Sequence, residues 1–231
     1  MKVERIEIGS IPALVWGEAS DKVFLCVHGK MGSKECVAGI AETALKKGYQ
    51  TISFDLPQHG ERKEEGQRCD IWNGICDLTL VGNYVFEHWK EVSLYACSLG
   101  AYFSLHAYSE KEFKQCLFQS PILDMEHLIE QMMQWFDVSE ERLEREQEVD
   151  TPIDVLSWKY YQYVKEHPVC VWSIPTHILY AGKDHLQSAE VVNVFAKKFG
   201  CKVTVSKDSE HPFMEEADAP IVNGWLQDSM L

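Results

Sequence analysis

The chain has 231 residues, of which 45% are hydrophobic and 25% are charged. This length and composition predict one globular domain with a full apolar core. Lysine and arginine total 22 against 36 aspartate and glutamate residues, a formal net charge of −14. Because so acidic a surface repels phosphate backbones and anionic lipids, the composition argues against nucleic acids and membrane surfaces as partners.

Charged residues interrupt the apolar ones throughout the first 17 residues, which predicts neither a signal peptide nor a membrane anchor. No later stretch reaches the apolar length of a membrane span. The eight cysteines are scattered, and several lie in apolar runs without a C-x-x-C pair. Such cysteines are typical of reduced, buried side chains, so the sequence predicts a cytoplasmic protein.

Strand-like apolar runs alternate with helical patterns along most of the chain. Residues 2–8 and 12–16 predict an edge hairpin, because apolar and polar residues alternate on either side of a Gly-Ser pair. The remaining predicted strands are 23–27, 50–54, 92–97, 116–118, 176–181 and 202–205. The predicted helices follow Ser33 and Ser98 or span 69–90, 191–199 and 218–226. This alternation predicts an α/β fold with a mostly parallel central sheet and helices on both faces.

A serine stands at the junction between the strand 92–97 and the helix that follows. The sequence Ala96-Cys97-Ser98-Leu99-Gly100 places small residues two positions on either side of Ser98, as a sharp strand-to-helix turn requires. This pentapeptide resembles the nucleophile elbow of the α/β-hydrolase family, Gly-x-Ser-x-Gly, with alanine in the first glycine position. The resemblance implies that Ser98 is a nucleophile. The simpler alternative is a strand end with a buried serine.

A nucleophilic serine needs a base within reach and an acid that orients the base. In the α/β-hydrolases the order along the chain is nucleophile, acid, histidine, and each follows a strand. Asp184 follows the strand 176–181, and His211 follows the last predicted strand. The resemblance therefore extends from about residue 23 to about residue 226 and implies a catalytic triad of Ser98, Asp184 and His211.

Two other aspartates are alternatives for the acid. Asp124 follows the strand after the elbow, where some members of the family carry the acid, and it ranks second to Asp184. Asp208 is close to His211 in sequence and is expected to be a solvated loop residue. His185, beside Asp184, is expected to be a loop side chain rather than a base.

The resemblance also implies an oxyanion hole formed by two backbone amides. In the family these are the amide after the nucleophile and one from the loop after an early strand. The corresponding N–H groups here belong to Leu99 and Lys30, and the sequence assigns no role to the Lys30 side chain. Residues 55–62, DLPQHGER, resemble the Asp-x-Pro-x-His-Gly-x-Arg loop of small bacterial carboxylesterases in this family. That loop is expected to be a rigid wall of the site.

Residues 124–168 are expected to form a small helical cap inserted into a single domain that spans residues 1–231. Apolar residues recur there at helical spacing, and methionines suit an adaptable apolar wall. The candidates for the lining of the cap are Met132, Met133, Trp135, Phe136 and Trp158. Such a lining favours esters of small apolar or aromatic acyl groups. For most of these residues, packing of the cap onto the core is the alternative.

The sequence has no glycine-rich phosphate loop and no cluster with metal-ligand spacing, so the expected chemistry uses neither cofactor nor metal. The resemblance implies a serine hydrolase that cleaves a small-molecule carboxylic ester through an acyl-enzyme. Thioesterases and peptidases share the fold and remain alternatives. A non-catalytic ligand-binding protein is a further alternative, which the complete set of serine, aspartate and histidine argues against.

Overall fold

Eight of ten strands form one sheet in a computed structural model that describes residues 1–231. The order across the sheet is β1-β2-β4-β3-β5-β6-β9-β10, and β7 pairs only with β8. The strands are β1 (Val3–Ile8), β2 (Ile11–Trp16), β3 (Lys22–Val27), β4 (Gln50–Phe54), β5 (Glu91–Cys97), β6 (Cys116–Gln119), β7 (Glu148–Asp150), β8 (Val155–Ser157), β9 (Thr176–Ala181) and β10 (Lys202–Ser206).

The strands from β4 to β10 are all parallel, and β2 alone runs antiparallel to them; β1, at the edge, pairs antiparallel with β2. The central strands are continuous apolar runs because helices cover them on both faces. The carboxyl ends of parallel strands meet at one edge, so the residues that follow β5, β9 and β10 come together there. The prediction of a mostly parallel α/β sheet is confirmed.

Eight helices accompany the sheet, and none combines the length and apolar composition that crossing a bilayer requires. Helices α1 and α8 contribute to an apolar cluster on one face, whereas α2, α3, α4, α6 and α7 contribute to the larger cluster on the other. The helices are α1 (Ala38–Lys46), α2 (Ile71–His88), α3 (Leu99–Ala107), α4 (Met125–Trp135), α5 (Glu140–Glu146), α6 (Trp158–Glu166), α7 (Ala189–Phe199) and α8 (Ala219–Ser229).

The first helix begins differently from the prediction. The sequence predicts a helix directly after Ser33, but the chain first makes a short 3₁₀ turn, Lys34–Val37, before α1. The amide and the ammonium of Lys34 both bind the buried carboxylate of Asp55, which fixes this turn against the loop after β4. A long-range ion pair therefore decides how the helix starts.

The segment between β6 and β9 contains α4, α5, the hairpin β7–β8 and α6. The sequence predicts helices here but not the hairpin, whose strands have three residues each. Helix α4 packs against α6, and their apolar faces continue the larger core cluster. The hairpin lies outside the main sheet, and its turn faces the loop that follows β3.

Candidate active site

Ser98 occupies a strained turn between β5 and α3. Its backbone has φ 50° and ψ −120°, a conformation that non-glycine residues rarely adopt and that is concentrated at functional sites. A Cβ at Gly100 would lie 2.4 Å from the carbonyl oxygen of His28, so only glycine fits there. Burial raises the pKa of the neighbouring Cys97 to about 12, which keeps this thiol neutral and inert.

The side chains of Ser98, His211 and Asp184 form a hydrogen-bonded series. Ser98 Oγ lies 2.8 Å from His211 Nε2, and His211 Nδ1 lies 2.8 Å from Asp184 Oδ2. An ionised carboxylate accepts only, so the network assigns the imidazole proton to Nδ1 and leaves Nε2 to accept from the serine hydroxyl. This tautomer can remove the proton of Ser98.

The second oxygen of Asp184 is fixed by its own loop. Oδ1 accepts hydrogen bonds from the amides of Leu186, at 2.8 Å, and Gln187, at 3.2 Å. The fully buried side chain of Gln187 in turn accepts from the amides of Leu123 and Asp124, each at 2.9 Å. The carboxylate therefore has a single orientation, with one oxygen facing the histidine.

Neither alternative acid contacts His211. Asp124 caps the N-terminus of α4, where its Oδ1 accepts from the amide of His127 at 2.9 Å. Asp208 is 96% exposed and lies 3.7 Å from the ammonium of Lys183, as expected of a solvated loop residue. His185 is exposed, and its ring lies 6.1 Å from that of Trp135.

The loop that carries His211 is attached to the sheet through a residue that the sequence does not identify. Gln119, at the end of β6, donates from Nε2 to the carbonyl oxygen of Pro212 at 2.8 Å. Its Oε1 accepts from the hydroxyl of Tyr95 at 2.8 Å, and its backbone oxygen accepts from the amide of Ser98 at 3.1 Å. Because burial raises the pKa of Tyr95 well above its ordinary value, the hydroxyl remains a donor and orients the Gln119 amide.

The two predicted oxyanion donors are unused within the protein. The amides of Lys30 and Leu99 make no hydrogen bond to another protein group. A Cβ at Gly29 would lie 3.0 Å from the Cβ of Ser98, so the loop after β3 passes close to the serine. Lys30 and Leu99 also line a common cavity of about 310 Å³.

Two histidines hold the loop after β3. His28 donates from Nδ1 to the carbonyl of Gly29 at 2.7 Å and accepts at Nε2 from the amide of Leu56 at 3.1 Å. Burial lowers the pKa of His28 to about 4, so its ring is neutral and can act as both donor and acceptor. His59 Nε2 accepts from the amide of Met31 at 3.0 Å, which fixes the residue after Lys30.

A buried ion pair fixes the loop 55–62. Asp55 and Lys34 are 0% and 1% exposed, and Asp55 Oδ2 lies 2.7 Å from the Lys34 ammonium. Burial alone would lower the pKa of Lys34, but hydrogen bonds to Asp55, Glu61 and Glu35 outweigh it and raise the pKa. A Cβ at Gly60 would overlap the Asp55 carboxylate at 2.2 Å, so glycine is required there.

The five predicted cap residues have different surroundings, and none of them lines the cavity beside Lys30 and Leu99. Met132 and Met133 are buried in the larger core cluster. Phe136 and Trp158 are partly buried and pack against that cluster, and Trp135 is 42% exposed. Elsewhere, no three histidine, cysteine, aspartate or glutamate side chains form a group that could hold a metal ion.

No family model matches this sequence, and no curated protein sequence is detectably similar to it. Solved structures are similar over nearly the whole chain. Alpha/beta hydrolase domain-containing protein 10 from mouse matches with a TM-score of 0.76 and 15% identity, covering 99% of this chain and 98% of that protein. Est1E from Butyrivibrio proteoclasticus, solved with ferulic acid bound, matches with a TM-score of 0.74 and 15% identity, covering 97% and 96% of the two chains.

A Pyrococcus furiosus esterase matches with a TM-score of 0.73 and 17% identity, covering 98% of this chain and 89% of that one. The similarity lies in the course of the backbone and not in the sequence. At these identities the likeness concerns the fold. The chain has the α/β-hydrolase fold.

Proposed function

We propose that the protein is a serine hydrolase that cleaves carboxylic esters through an acyl-enzyme. The observation that carries the proposal is the hydrogen-bonded series Ser98–His211–Asp184 at the carboxyl edge of the parallel sheet. The amides of Lys30 and Leu99, free of protein partners, support it. Proteins of similar structure include a Pyrococcus furiosus esterase and a Paleococcus ferrophilus monoacylglycerol lipase.

In the first half of the reaction, His211 Nε2 takes the proton of Ser98 as Oγ attacks the ester carbonyl. Asp184 holds the proton on Nδ1 and stabilises the imidazolium that forms. The tetrahedral oxyanion lies between the amides of Lys30 and Leu99, and the loss of one such donor commonly costs about 3 kcal/mol. When the intermediate collapses, the imidazolium donates its proton to the departing alcohol oxygen.

In the second half, water replaces the alcohol. His211 takes a proton from the water as its oxygen attacks the acyl carbonyl, and the second intermediate collapses to the acid while the proton returns to Ser98 Oγ. Proton transfer and charge stabilisation are supplied by the protein alone, so the proposal requires no cofactor. The partner it requires is a small-molecule ester.

Labelling with a fluorophosphonate tests the proposal directly, because the probe reacts with an activated serine. We expect stoichiometric labelling of the peptide that contains Ser98, and loss of labelling and of ester hydrolysis in Ser98→Ala. Ser93→Ala is the matched control, since Ser93 is a buried serine in β5, the strand that leads to Ser98, and its hydroxyl has no hydrogen-bond partner. Wild-type turnover in Ser98→Ala would refute the assignment, and absence of both labelling and turnover would favour a ligand-binding protein.

The residues of the proposed triad act as one unit. We therefore expect the losses of Ser98→Ala and His211→Ala in kcat/KM not to add in the double variant. Matched ester, thioester and amide substrates with one acyl group separate the esterase from the thioesterase and peptidase alternatives. Ester cleavage slower than that of the thioester or amide would contradict the proposal.

For the acyl group we propose small apolar or aromatic acids, with the cap residues of the α4 and α6 region as one wall. The partly buried aromatic side chains of Phe136 and Trp158 support this. Est1E binds ferulic acid, an aromatic acid, so aromatic esters are a suitable part of the panel. Trp158→Ala should shift the preferred acyl length, measured as kcat/KM along an ester series, and an unchanged profile in a folded variant would contradict this wall.

A further inference from the structure

The cavity beside the two proposed oxyanion amides is lined by polar as well as apolar residues. Its volume is about 310 Å³, and it abuts Leu99, the residue after the proposed nucleophile. The lining residues are Lys30, Met31, Gln58, His59, Cys69, Leu99 and Asp154. A cation, an anion and an amide therefore border a space that adjoins the proposed oxyanion donors.

The Lys30 side chain crosses from the loop after β3 to the turn of the β7–β8 hairpin. Its ammonium donates to the carbonyl oxygen of Ile153 at 3.2 Å and forms an ion pair with Asp154. The turn is fixed by Thr151, whose hydroxyl donates to the Asp154 carbonyl at 2.6 Å and accepts from the Asp154 amide at 3.0 Å. The ion pair thus joins a rigid turn to the oxyanion loop.

The charges in this cavity cancel, but hydrogen-bonding capacity remains. Lys30 and Asp154 neutralise each other, and both side chains stay partly hydrated, at 40% and 54% exposure. Gln58 accepts from the amide of Cys69 at 3.0 Å through Oε1, while its Nε2 has no partner in the protein. His59 is already used at both ring nitrogens.

This arrangement discriminates between substrate groups on physical grounds. An alkyl group would displace water from Lys30, Asp154 and Gln58 without replacing its hydrogen bonds, which is unfavourable. A carboxylate would meet Asp154, and an ammonium would meet Lys30. A neutral group with hydroxyls can donate to the aspartate and accept from the lysine or the glutamine amide, and so restores the bonds that the water made.

We propose that this cavity is a subsite for a neutral, hydroxyl-bearing group of the ester, and that Lys30 and Asp154 determine this preference. The proposal rests on the proposed ester hydrolysis and assigns a role to a side chain for which the sequence suggests none. The hydroxyl-bearing group can belong to the alcohol or to the acyl part of the substrate, since both lie next to the oxyanion.

Two pairs of esters of matched carbon skeleton distinguish these sources. Glycerol monobutyrate against propyl butyrate varies the alcohol, and ethyl 3-hydroxybutyrate against ethyl butyrate varies the acyl part. In at least one pair we expect kcat/KM of the wild-type protein to be about tenfold higher for the hydroxylated ester, as one or two net hydrogen bonds provide. In Lys30→Met/Asp154→Leu, which retains both backbone amides, this ratio should fall to about one.

The ion pair between Arg68 and Glu148 supplies the matched control. It joins the other end of the same hairpin to the loop before α2, is similarly exposed, and lines no part of the cavity. Arg68→Met/Glu148→Gln should keep the wild-type ratio of kcat/KM between the hydroxylated ester and its matched ester. If this variant lost the ratio as fully as Lys30→Met/Asp154→Leu, the position of the hairpin and not the chemistry of the cavity would set the preference, and the proposal would be overturned. A wild-type ratio near or below one in both ester pairs would also overturn the proposal, as would a ratio that is unchanged in Lys30→Met/Asp154→Leu.

Fluorophosphonate labelling of the same preparation distinguishes failure of the subsite from failure of the proposed function. Labelling without the preference for hydroxylated esters overturns the subsite alone, whereas absence of both labelling and turnover overturns the proposed function and the subsite with it.

Discussion

Replacing Asp184 with asparagine should abolish base catalysis through a forced change of tautomer. The amides of Leu186 and Gln187 donate to Oδ1 of Asp184, so the oxygen of an asparagine must remain at that position. Its NH₂ group then points at His211 Nδ1, which lies 2.8 Å from Oδ2 in the wild type. Since that nitrogen must then accept, the ring proton moves to Nε2, where it blocks proton transfer from Ser98.

The size of the effect follows from the loss of the correct tautomer. In serine proteases the equivalent change lowers kcat by about 10⁴-fold, and we expect a similar loss in kcat/KM here. This corresponds to about 5 kcal/mol at 1.36 kcal/mol per tenfold. The fold should survive, because the two backbone hydrogen bonds to Oδ1 are retained.

The assay is steady-state hydrolysis of the best ester in the panel, with thermal unfolding recorded for each variant. Asp124→Asn is the matched control, because Asp124 caps α4 and asparagine is an equally good cap. We expect its kcat/KM to stay within about twofold of the wild type. Retention of more than about a tenth of wild-type activity in Asp184→Asn would refute the tautomer argument, and a larger loss in Asp124→Asn would move the acid to that residue.

Three further predictions concern the supports of the site. Gln119→Met should lower kcat about tenfold or more, with little change in KM and an altered pH profile, because the loop that carries His211 loses its hydrogen bond to the sheet. Gln115→Met, a change at a buried glutamine just before β6, should have neither effect. Gly100→Ala should lower the free energy of unfolding, measured in urea, by about 2 kcal/mol or more, because the added Cβ clashes with the carbonyl oxygen of His28. Gly39→Ala, where no atom lies near the added Cβ, should raise that free energy by about 0.5 kcal/mol. The pKa of His28 is about 4 in the folded protein and about 6.5 in the unfolded chain, so the unfolded chain binds a proton first as the pH falls. The free energy of unfolding should therefore fall by about 3 kcal/mol between pH 6.5 and 4 through this group, and His28→Gln should make that dependence on pH shallower.

The sequence by itself determined the sheet and the relative placement of Ser98, Asp184 and His211. Apolar runs separated by helical patterns admit few arrangements other than a parallel sheet, and parallel strands bring their carboxyl ends to one edge. Three residues that each follow such a strand therefore lie at the same edge, and the strand order β5-β6-β9-β10 places them near one another. The small residues around Ser98 reflect a local steric requirement that is visible without any partner, as the clash at Gly100 illustrates.

Contacts between distant segments were decided only by the tertiary structure. Helical spacing identifies an apolar face that contains Met132 and Met133 but not whether that face lies on the core or on a cleft, and here it lies on the core. The strands β7 and β8 are too short to leave a periodic pattern, so the turn that carries Asp154 could not be placed opposite Lys30, 124 residues away. Gln119 contacts the histidine loop through one amide, and a single hydrogen bond between remote residues leaves no spacing in the sequence by which it can be recognised.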